Sequence, residues 1–220
     1  MDGIKSKERV KEHGEVFTPD SIVNDMLDLI DNELKEENLT PEQYTLESCL
    51  EPACGNGNFL IRILDRKLAA VRLMEKENQE AGLIKAVSSI YGIDIQEDNV
   101  IESRERMMKL IKEGKVDLLE LKDKEIKGFS NGGPFEMSPE IENIVKFILD
   151  KNIVLGNALE TDVAKAVQFI NWKFDGDMVQ PVLFYMTDVD TEHDLDNPKT
   201  HYRFITGLNY NYSDEIDEEF

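Results

Sequence analysis

The residues whose spacing could do chemistry in this chain lie between Glu51 and Phe59, where two glycines stand one residue apart. Glycine adopts positive φ at little cost and lets the backbone pass close to a ligand. The first N–H groups of the helix that follows have no partner inside that helix, so they can donate to the same ligand. The segment therefore predicts a binding turn, although a tight turn between a strand and a helix can carry the same sequence.

Two missing sequence features and one aspartate restrict the class of ligand that this turn could bind. After the glycines there is no lysine followed by Ser or Thr, which disfavours a P-loop, and no third glycine stands at dinucleotide spacing. Asp94 follows a β-branched and aromatic run, and an aspartate at the end of a second strand can accept hydrogen bonds from ribose hydroxyls. The alternative is that Asp94 caps the next helix. With Glu51, Gly55 and Gly57 at neighbouring strand ends, it predicts a site for a nucleoside-containing small molecule.

The elements that must position these residues alternate between strands and helices, which indicates an α/β fold with a mostly parallel sheet. The periodicity predicts helices over 5–11, 21–36, 59–81, 97–110 and 139–149, with a further short helix before residue 89. It predicts strands over 44–50, 89–95, 152–159, 168–174, 178–186 and 202–205. Residues 175–177, Asp-Gly-Asp, indicate a hairpin turn in the β-rich C-terminal part.

The charge balance bears on possible partners. The chain has 220 residues and a net charge of −21, which argues against a large nucleic-acid footprint of its own. Four basic residues recur along the helix after the glycine turn, and we expect them to face solvent; the alternative is a local DNA-binding face. They are Arg62, Arg66, Lys67 and Arg72.

The cysteines, histidines and apolar runs indicate the compartment. Cys49 and Cys54 flank one strand end, too far apart for a disulfide of normal geometry, so we expect free thiols in the cytoplasm. His13, His193 and His201 are scattered and predict no metal site. No apolar run approaches the roughly 18 residues of a membrane span. The charged start does not resemble a secretory signal, and we expect no membrane partner.

Four segments, in this order, resemble the motifs of the N6-adenine DNA methyltransferases of restriction–modification systems. They are His13–Pro19, Glu51–Phe59, Tyr91–Ile95 and Gly156–Leu159. The first resembles the motif that folds over the methionine part of S-adenosylmethionine, and the second resembles the glycine-rich motif. The third is similar to the acidic second-strand motif, and the fourth is similar to the third-strand motif, where the family carries Gly-Asp-x-Leu. The resemblance covers roughly residues 13–160.

This resemblance implies S-adenosylmethionine as the cofactor and a Rossmann-like methyltransferase sheet with an N-terminal helical cap. Glu51 would lie near the amino group and sulfonium, Asp94 near the ribose, and Asn157 near the adenine. Phe17 and Phe59 would line this pocket or, alternatively, serve as core aromatics. The predicted cofactor-binding residues are Phe17, Thr18, Pro19, Glu51, Pro52, Cys54, Gly55, Gly57, Asn58, Phe59, Asp94, Ile95, Asn157 and Leu159.

The catalytic motif of the family, Asn-Pro-Pro-Tyr or a close variant, accepts the N6 protons of a flipped adenine and stacks an aromatic ring on the base. The nearest match is 171–174, Asn-Trp-Lys-Phe, which predicts Asn171 and Phe174 as the catalytic residues. It lacks the two prolines that hold the turn rigid. The alternative is that 168–174 is one arm of a β-hairpin.

Together these observations predict a helical cap over 1–40, an S-adenosylmethionine-binding domain over 41–186, and an extension with an acidic tail over 187–220. The expected activity is methylation of adenine N6 in DNA, with target recognition either supplied by a separate specificity subunit or absent. The alternative is a catalytically inactive methyltransferase-fold protein that acts as a regulatory or inhibitory partner, such as an acidic anti-restriction decoy. The same fold can also serve methylation of RNA, protein or a small molecule.

Overall fold

The computed structural model describes residues 5–114, 133–162, 165–175, 178–186 and 202–203. The helices in these ranges are α1 (Lys7–His13), α2 (Asp20–Glu36), α3 (Pro41–Leu46), α4 (Asn58–Arg72), α5 (Gln79–Ser88), α6 (Glu97–Glu113) and α7 (Pro139–Asn152). The strands are β1 (Cys49–Glu51), β2 (Ile90–Asp94), β3 (Ile153–Leu155), β4 (Gln168–Asp175), β5 (Met178–Tyr185) and β6 (Tyr202–Arg203). No described helix is long and apolar enough to cross a membrane.

A parallel sheet in the order β1-β2-β3 carries the fold. Leu50 lies opposite Tyr91, and Ile93 lies opposite Val154. The central strand β2 is buried except at Asp94, which agrees with the apolar run that parallel strands show when both faces are covered. Helices α4 to α7 supply most of the apolar core on one face. Because the strands are parallel, their carboxyl ends meet at one edge, which agrees with an α/β fold of this type.

A separate antiparallel sheet, in the order β4-β5-β6, follows the parallel one. The β4–β5 hairpin docks through Trp172, whose indole N–H donates to the Asn152 side-chain oxygen at 3.0 Å. The Trp172 ring also makes an edge contact with Phe147, at 6.0 Å between centroids. The Tyr91 hydroxyl donates to the Ile170 carbonyl at 3.2 Å, which joins the hairpin to β2. The predicted turn residues 176–177 and the acidic tail 214–220 lie outside the described residues.

The strand predicted over 44–50 is wrong in its first half, because Pro41–Leu46 form helix α3. The Thr40 hydroxyl accepts from the Gln43 N–H at 3.2 Å, and the Gln43 side chain accepts from the Thr40 N–H at 2.9 Å. This reciprocal capping box, with Pro41 at the first helical position, favours a helix over the β-strand that the apolar residues indicate. The helix predicted over 59–81 also divides, since α4 ends at Arg72 and α5 begins at Gln79.

The expectation that the basic residues of α4 face solvent is wrong for Arg62 and Lys67. Arg62 is 1% exposed, and its guanidinium pairs with Asp20 through bonds of 2.5 and 2.7 Å. Arg66 pairs with Asp28 and Asp31 of the same helix, α2. The acidic side chains of α2 therefore neutralise Arg62 and Arg66, two of the four residues that the alternative interpretation assigned to DNA, while Arg72 donates to the Gly133 carbonyl.

Lys67 is buried where α3 ends, and its ammonium donates to the carbonyl oxygens of Tyr44, Thr45 and Glu47. Burial lowers the pKa of Lys67 from 10.5 to about 8. Between these two pH values the unfolded chain holds a proton that the folded chain has released. The free energy of unfolding therefore gains a contribution that rises with pH, by at most about 1.4 kcal/mol per pH unit.

We expect Lys67→Met to lack this contribution. Urea unfolding of both proteins at pH values near 8 and near 10.5 should show the wild type gaining stability relative to Lys67→Met as the pH rises. Tyr44 and Cys54 titrate in both proteins, so their effects largely cancel, whereas the Cys49 thiol interacts with the Lys67 charge and is replaced by alanine in both. A difference that stays constant with pH would mean that burial does not lower the pKa of Lys67.

Candidate functional site

A cavity of about 550 Å³ opens at the carboxyl edge of the parallel sheet. This volume lies within the range of roughly 300–1,000 Å³ that is usual for small-molecule sites. Its wall combines the segment before α2, the glycine turn, the end of β2 with the start of α6, and the loop after β3. The lining residues are Gly14, Glu15, Val16, Phe17, Thr18, Glu51, Pro52, Ala53, Cys54, Gly55, Asn56, Asn58, Phe59, Asp94, Ile95, Gln96, Asn99, Asn157, Ala158 and Leu159.

The structure brings together twelve of the fourteen predicted cofactor residues in this wall. The exceptions are Pro19 and Gly57. Pro19 precedes the first residue of α2, and Gly57 is the N-cap of α4. Each is therefore next to a lining residue without contributing to the lining itself.

The glycine turn has the backbone that its sequence predicts. Gly55 and Gly57 have φ values of 54° and 88°, a region that residues with a Cβ rarely adopt. Helix α6 supports the turn from behind, because the Ser103 hydroxyl donates to the Gly55 carbonyl at 2.9 Å. A Cβ at Gly57 would lie 2.9 Å from the Ser103 hydroxyl oxygen, so this position also needs glycine for close packing.

Asp94 connects the glycine turn to α6. One carboxylate oxygen accepts from the Gly55 N–H at 2.9 Å. The other accepts from the Gln96 N–H at 2.8 Å and from the Asn99 side-chain amide at 3.2 Å. Asp94 is not itself the N-cap residue of α6, which is Gln96, but its carboxylate accepts from the Gln96 N–H directly before the helix. A carboxylate has about four acceptor positions, so Asp94 retains acceptor capacity for a ligand hydroxyl.

Glu51 contributes a second carboxylate to the wall. It accepts one bond, from the Ala53 N–H at 3.2 Å, and burial raises its pKa. Among the described residues, no lysine or arginine pairs with it. A half-buried carboxylate without a cationic neighbour attracts a positively charged ligand group, which would in turn favour its ionised form.

We call residues 14–18 the strap, because this segment lines the cavity before α2 begins. The Phe17 ring packs on the glycine turn, where a Cβ at Gly55 would lie 3.1 Å from it. The Arg9 guanidinium binds both oxygens of Glu15 at 2.6 Å, and the Asn58 amide donates to the Thr18 carbonyl at 3.2 Å. Burial opposes the charge of Glu15, yet hydrogen bonds from Arg9 and Asn99 lower its pKa overall.

Three other predicted residues need a more specific description. Asn157 is exposed, and its side-chain oxygen accepts from the Leu159 N–H at 3.0 Å. Leu159 is 86% exposed at the rim. Cys54 is buried in the wall, and burial raises the pKa of its thiol to about 12. Because a protonated thiol is a poor nucleophile, Cys54 acts here as a small apolar side chain.

The predicted catalytic residues do not join this cavity. Asn171 lies on β4, opposite Val182 in the antiparallel pairing, and its side chain is exposed. Phe174 is half-buried on the same strand, with the Lys85 ammonium 5.7 Å from its ring centroid. Neither contributes to the described lining. The alternative of a hairpin arm describes this segment, since β4 pairs with β5 over its whole length.

Four polar residues of the wall are absent from the predicted cofactor-binding residues: Glu15, Asn56, Gln96 and Asn99. Asn56 stands between the two glycines, and its buried side-chain oxygen has no hydrogen-bond partner among the described residues. Asn99 lies in the first turn of α6, five residues after Asp94 at the end of β2, and hydrophobic periodicity carries no signal for their contact. Among the described residues, no group of three or more His, Cys, Asp or Glu is arranged to hold a metal ion.

Comparison with known proteins gives one match. Residues 5–113 match the model of the family described as N-6 DNA Methylase. This range includes the strap, the glycine turn and Asp94, and it ends before β3 and the β4–β5 hairpin. Neither the curated proteins nor the solved structures provide a match.

Proposed function

This chain belongs to the N-6 DNA methylase family, matched over residues 5–113, and we propose that it binds S-adenosylmethionine in the described cavity for methylation of adenine N6 in DNA. One observation supports this proposal above the others. The strap, the glycine turn and Asp94 lie within the family match and converge on one cavity of suitable volume. When bound, S-adenosylmethionine supplies a methyl group on a sulfonium.

The residues of the cavity fit the chemistry of this cofactor. Glu51 offers a carboxylate without a basic partner, which suits a sulfonium or an ammonium group. Asp94 offers acceptor capacity for ribose hydroxyls. Asn56 offers a buried amide oxygen that needs a donor. Phe17 and Phe59 contribute aromatic surface to the same wall.

The charge of the chain supports DNA contacts on a partner rather than on this chain. Phosphate binding requires Lys and Arg, and the chain has 25 of these against 46 acidic residues. On α4, Arg62 and Arg66 already pair with acidic residues of α2. We therefore propose that a separate specificity subunit with basic character provides the DNA contacts and the target recognition.

A second candidate function is a catalytically inactive binding partner of the same fold. The position of Asn171 and Phe174 on β4, outside the cavity lining, supports it. Such a protein would retain the cofactor or its cavity and act through contact with a DNA-binding protein. Its net charge of −21 suits the role of an acidic inhibitor.

Two measurements test these proposals. Isothermal titration of the protein with S-adenosylmethionine should give saturable heat, and the absence of binding would overturn the proposed cofactor site. Incubation with unmethylated DNA and cofactor labelled at the methyl group then separates the two functions. Label that enters adenine, and is lost in Asn171→Ala but not in Lys173→Ala on the same strand, supports methylation by this chain alone. Binding without label transfer supports the inactive partner or the need for a second subunit, and addition of a basic specificity subunit distinguishes those two.

A further inference from the structure

Asn99 lies between Asp94, the proposed ribose-binding carboxylate, and Glu15 of the strap. It lies in the first turn of α6, lines the cavity and is 1% exposed. Its amide nitrogen donates to Glu15 at 2.8 Å and to Asp94 at 3.2 Å. Its amide oxygen accepts from the Lys5 ammonium at 2.7 Å. One buried side chain therefore contacts both carboxylates and a cation.

The chemistry of these neighbours determines the orientation of the amide. A carboxylate can accept only from the nitrogen of Asn99, and an ammonium can donate only to its oxygen. The reversed amide would face Glu15 and Asp94 with its oxygen, which both repel. The orientation in which the Asn99 nitrogen bridges Glu15 and Asp94 is therefore the one that satisfies all three neighbours.

The bridge also holds two like charges close together. Since the Glu15 and Asp94 oxygens accept from the same nitrogen at 2.8 and 3.2 Å, they lie no more than about 6 Å apart. Arg9 offsets the charge of Glu15, and it is held in turn by Asp98 at 2.6 Å. Asp94 has no such basic partner in the described contacts and depends on N–H donors alone.

We propose that Asn99 is a positioning residue that couples cofactor binding at Asp94 to retention of the strap over the cavity. A ribose hydroxyl that donates to Asp94 spreads its negative charge, which reduces the repulsion that Glu15 meets when the strap is in place. The coupling is reciprocal, so a well-held strap strengthens binding at Asp94. This inference rests on the proposed cofactor site.

Hydrogen exchange with and without S-adenosylmethionine tests the coupling. In the wild type, saturating cofactor should slow exchange both at the glycine turn, residues 54–58, and at the strap, residues 14–18. In Asn99→Ala, at a cofactor concentration that restores saturation, the slowing should persist at the turn and disappear at the strap. Asn24→Ala is the matched control, because the Asn24 amide donates to Asp20 on α2, outside the cavity. It should keep the slowing in both segments.

Affinity provides a second readout. Asn99→Asp keeps the size of the side chain but places a third carboxylate beside the other two, so its Kd should rise more than that of Asn99→Ala, by about tenfold or more over wild type. A residue that only fills space would show the opposite order. Slowing at the strap in Asn99→Ala, or a weaker effect of aspartate than of alanine, would overturn the coupling. Failure of the wild type to bind would instead overturn the cofactor site itself.

Discussion

Replacing Asp94 with asparagine is expected to abolish most of the affinity for S-adenosylmethionine while leaving the chain folded. The carboxylate accepts from the N–H groups of Gly55 and Gln96 and from the Asn99 amide. Asparagine has the same shape, but its amide nitrogen must face one of these donors, so at least one bond is lost and the glycine turn loosens. The acceptor for the ribose is weakened by the same change.

The size of this effect follows from the charge of the acceptor. Hydrogen bonds to a charged group contribute about 1.5–3 kcal/mol each, which corresponds to a rise in Kd of roughly 10- to 100-fold for each bond lost. Isothermal titration measures the Kd, and thermal unfolding checks that the variant remains folded.

Asp150→Asn makes the same change in net charge and serves as the control. Asp150 is exposed near the end of α7 and pairs with Arg104 at 3.1 Å, outside the cavity lining. We expect its Kd to match that of the wild type. Equal affinities for Asp94→Asn and Asp150→Asn would show that Asp94 does not contact the cofactor.

The features that the sequence predicted well are local in the chain. Gly55 and Gly57 require positive φ, and a strand before them with a helix after them determines where the turn faces. Asp94 could be placed beside this turn because parallel strands bring their carboxyl ends to one edge. The strap was assigned to the same cavity by resemblance, and Phe17 does pack on the turn.

The features that escaped prediction depend on contacts between distant segments. The burial of Arg62 requires Asp20, which lies 42 residues away, and the burial of Lys67 requires the carbonyl end of α3. Hydrophobic periodicity carries no information about which charged residues find partners of this kind. The wrong strand prediction over α3 has a different origin. The sequence of the capping box, Thr40 and Gln43, was recognisable, but the apolar residues after it are also compatible with a strand.

The candidate catalytic segment shows how spacing alone can mislead. Asn171 and Phe174 keep the separation of the family motif, but without the two prolines nothing prevents the backbone N–H groups from pairing in a ladder. The structure contains that ladder, with Asn171 opposite Val182. The cavity at the glycine turn therefore follows from local sequence, while the cofactor it binds and the catalytic residues are both proposals.

Gly57→Ala is expected to cost more stability than any other single methyl addition in the glycine turn. Alanine at a φ of 88° is strained by about 1–2 kcal/mol. Its Cβ would also lie 2.9 Å from the Ser103 hydroxyl oxygen and 3.2 Å from the Ser103 Cα, so α6 must move, at a further cost of roughly 1–3 kcal/mol. Movement of α6 displaces Asn99 and the Gln96 N–H from Asp94, so cofactor affinity should fall together with stability.

The variant Gly14→Ala separates the cost of backbone strain from the cost of the contact with Ser103. Gly14 has a φ of 66°, and a Cβ there meets nothing within 4 Å, so this variant carries the backbone strain alone. Urea unfolding should therefore show a loss of about 1–2 kcal/mol for Gly14→Ala and a loss about twice as large for Gly57→Ala. Equal losses would mean that α6 does not pack against the turn as closely as the Ser103 distances require.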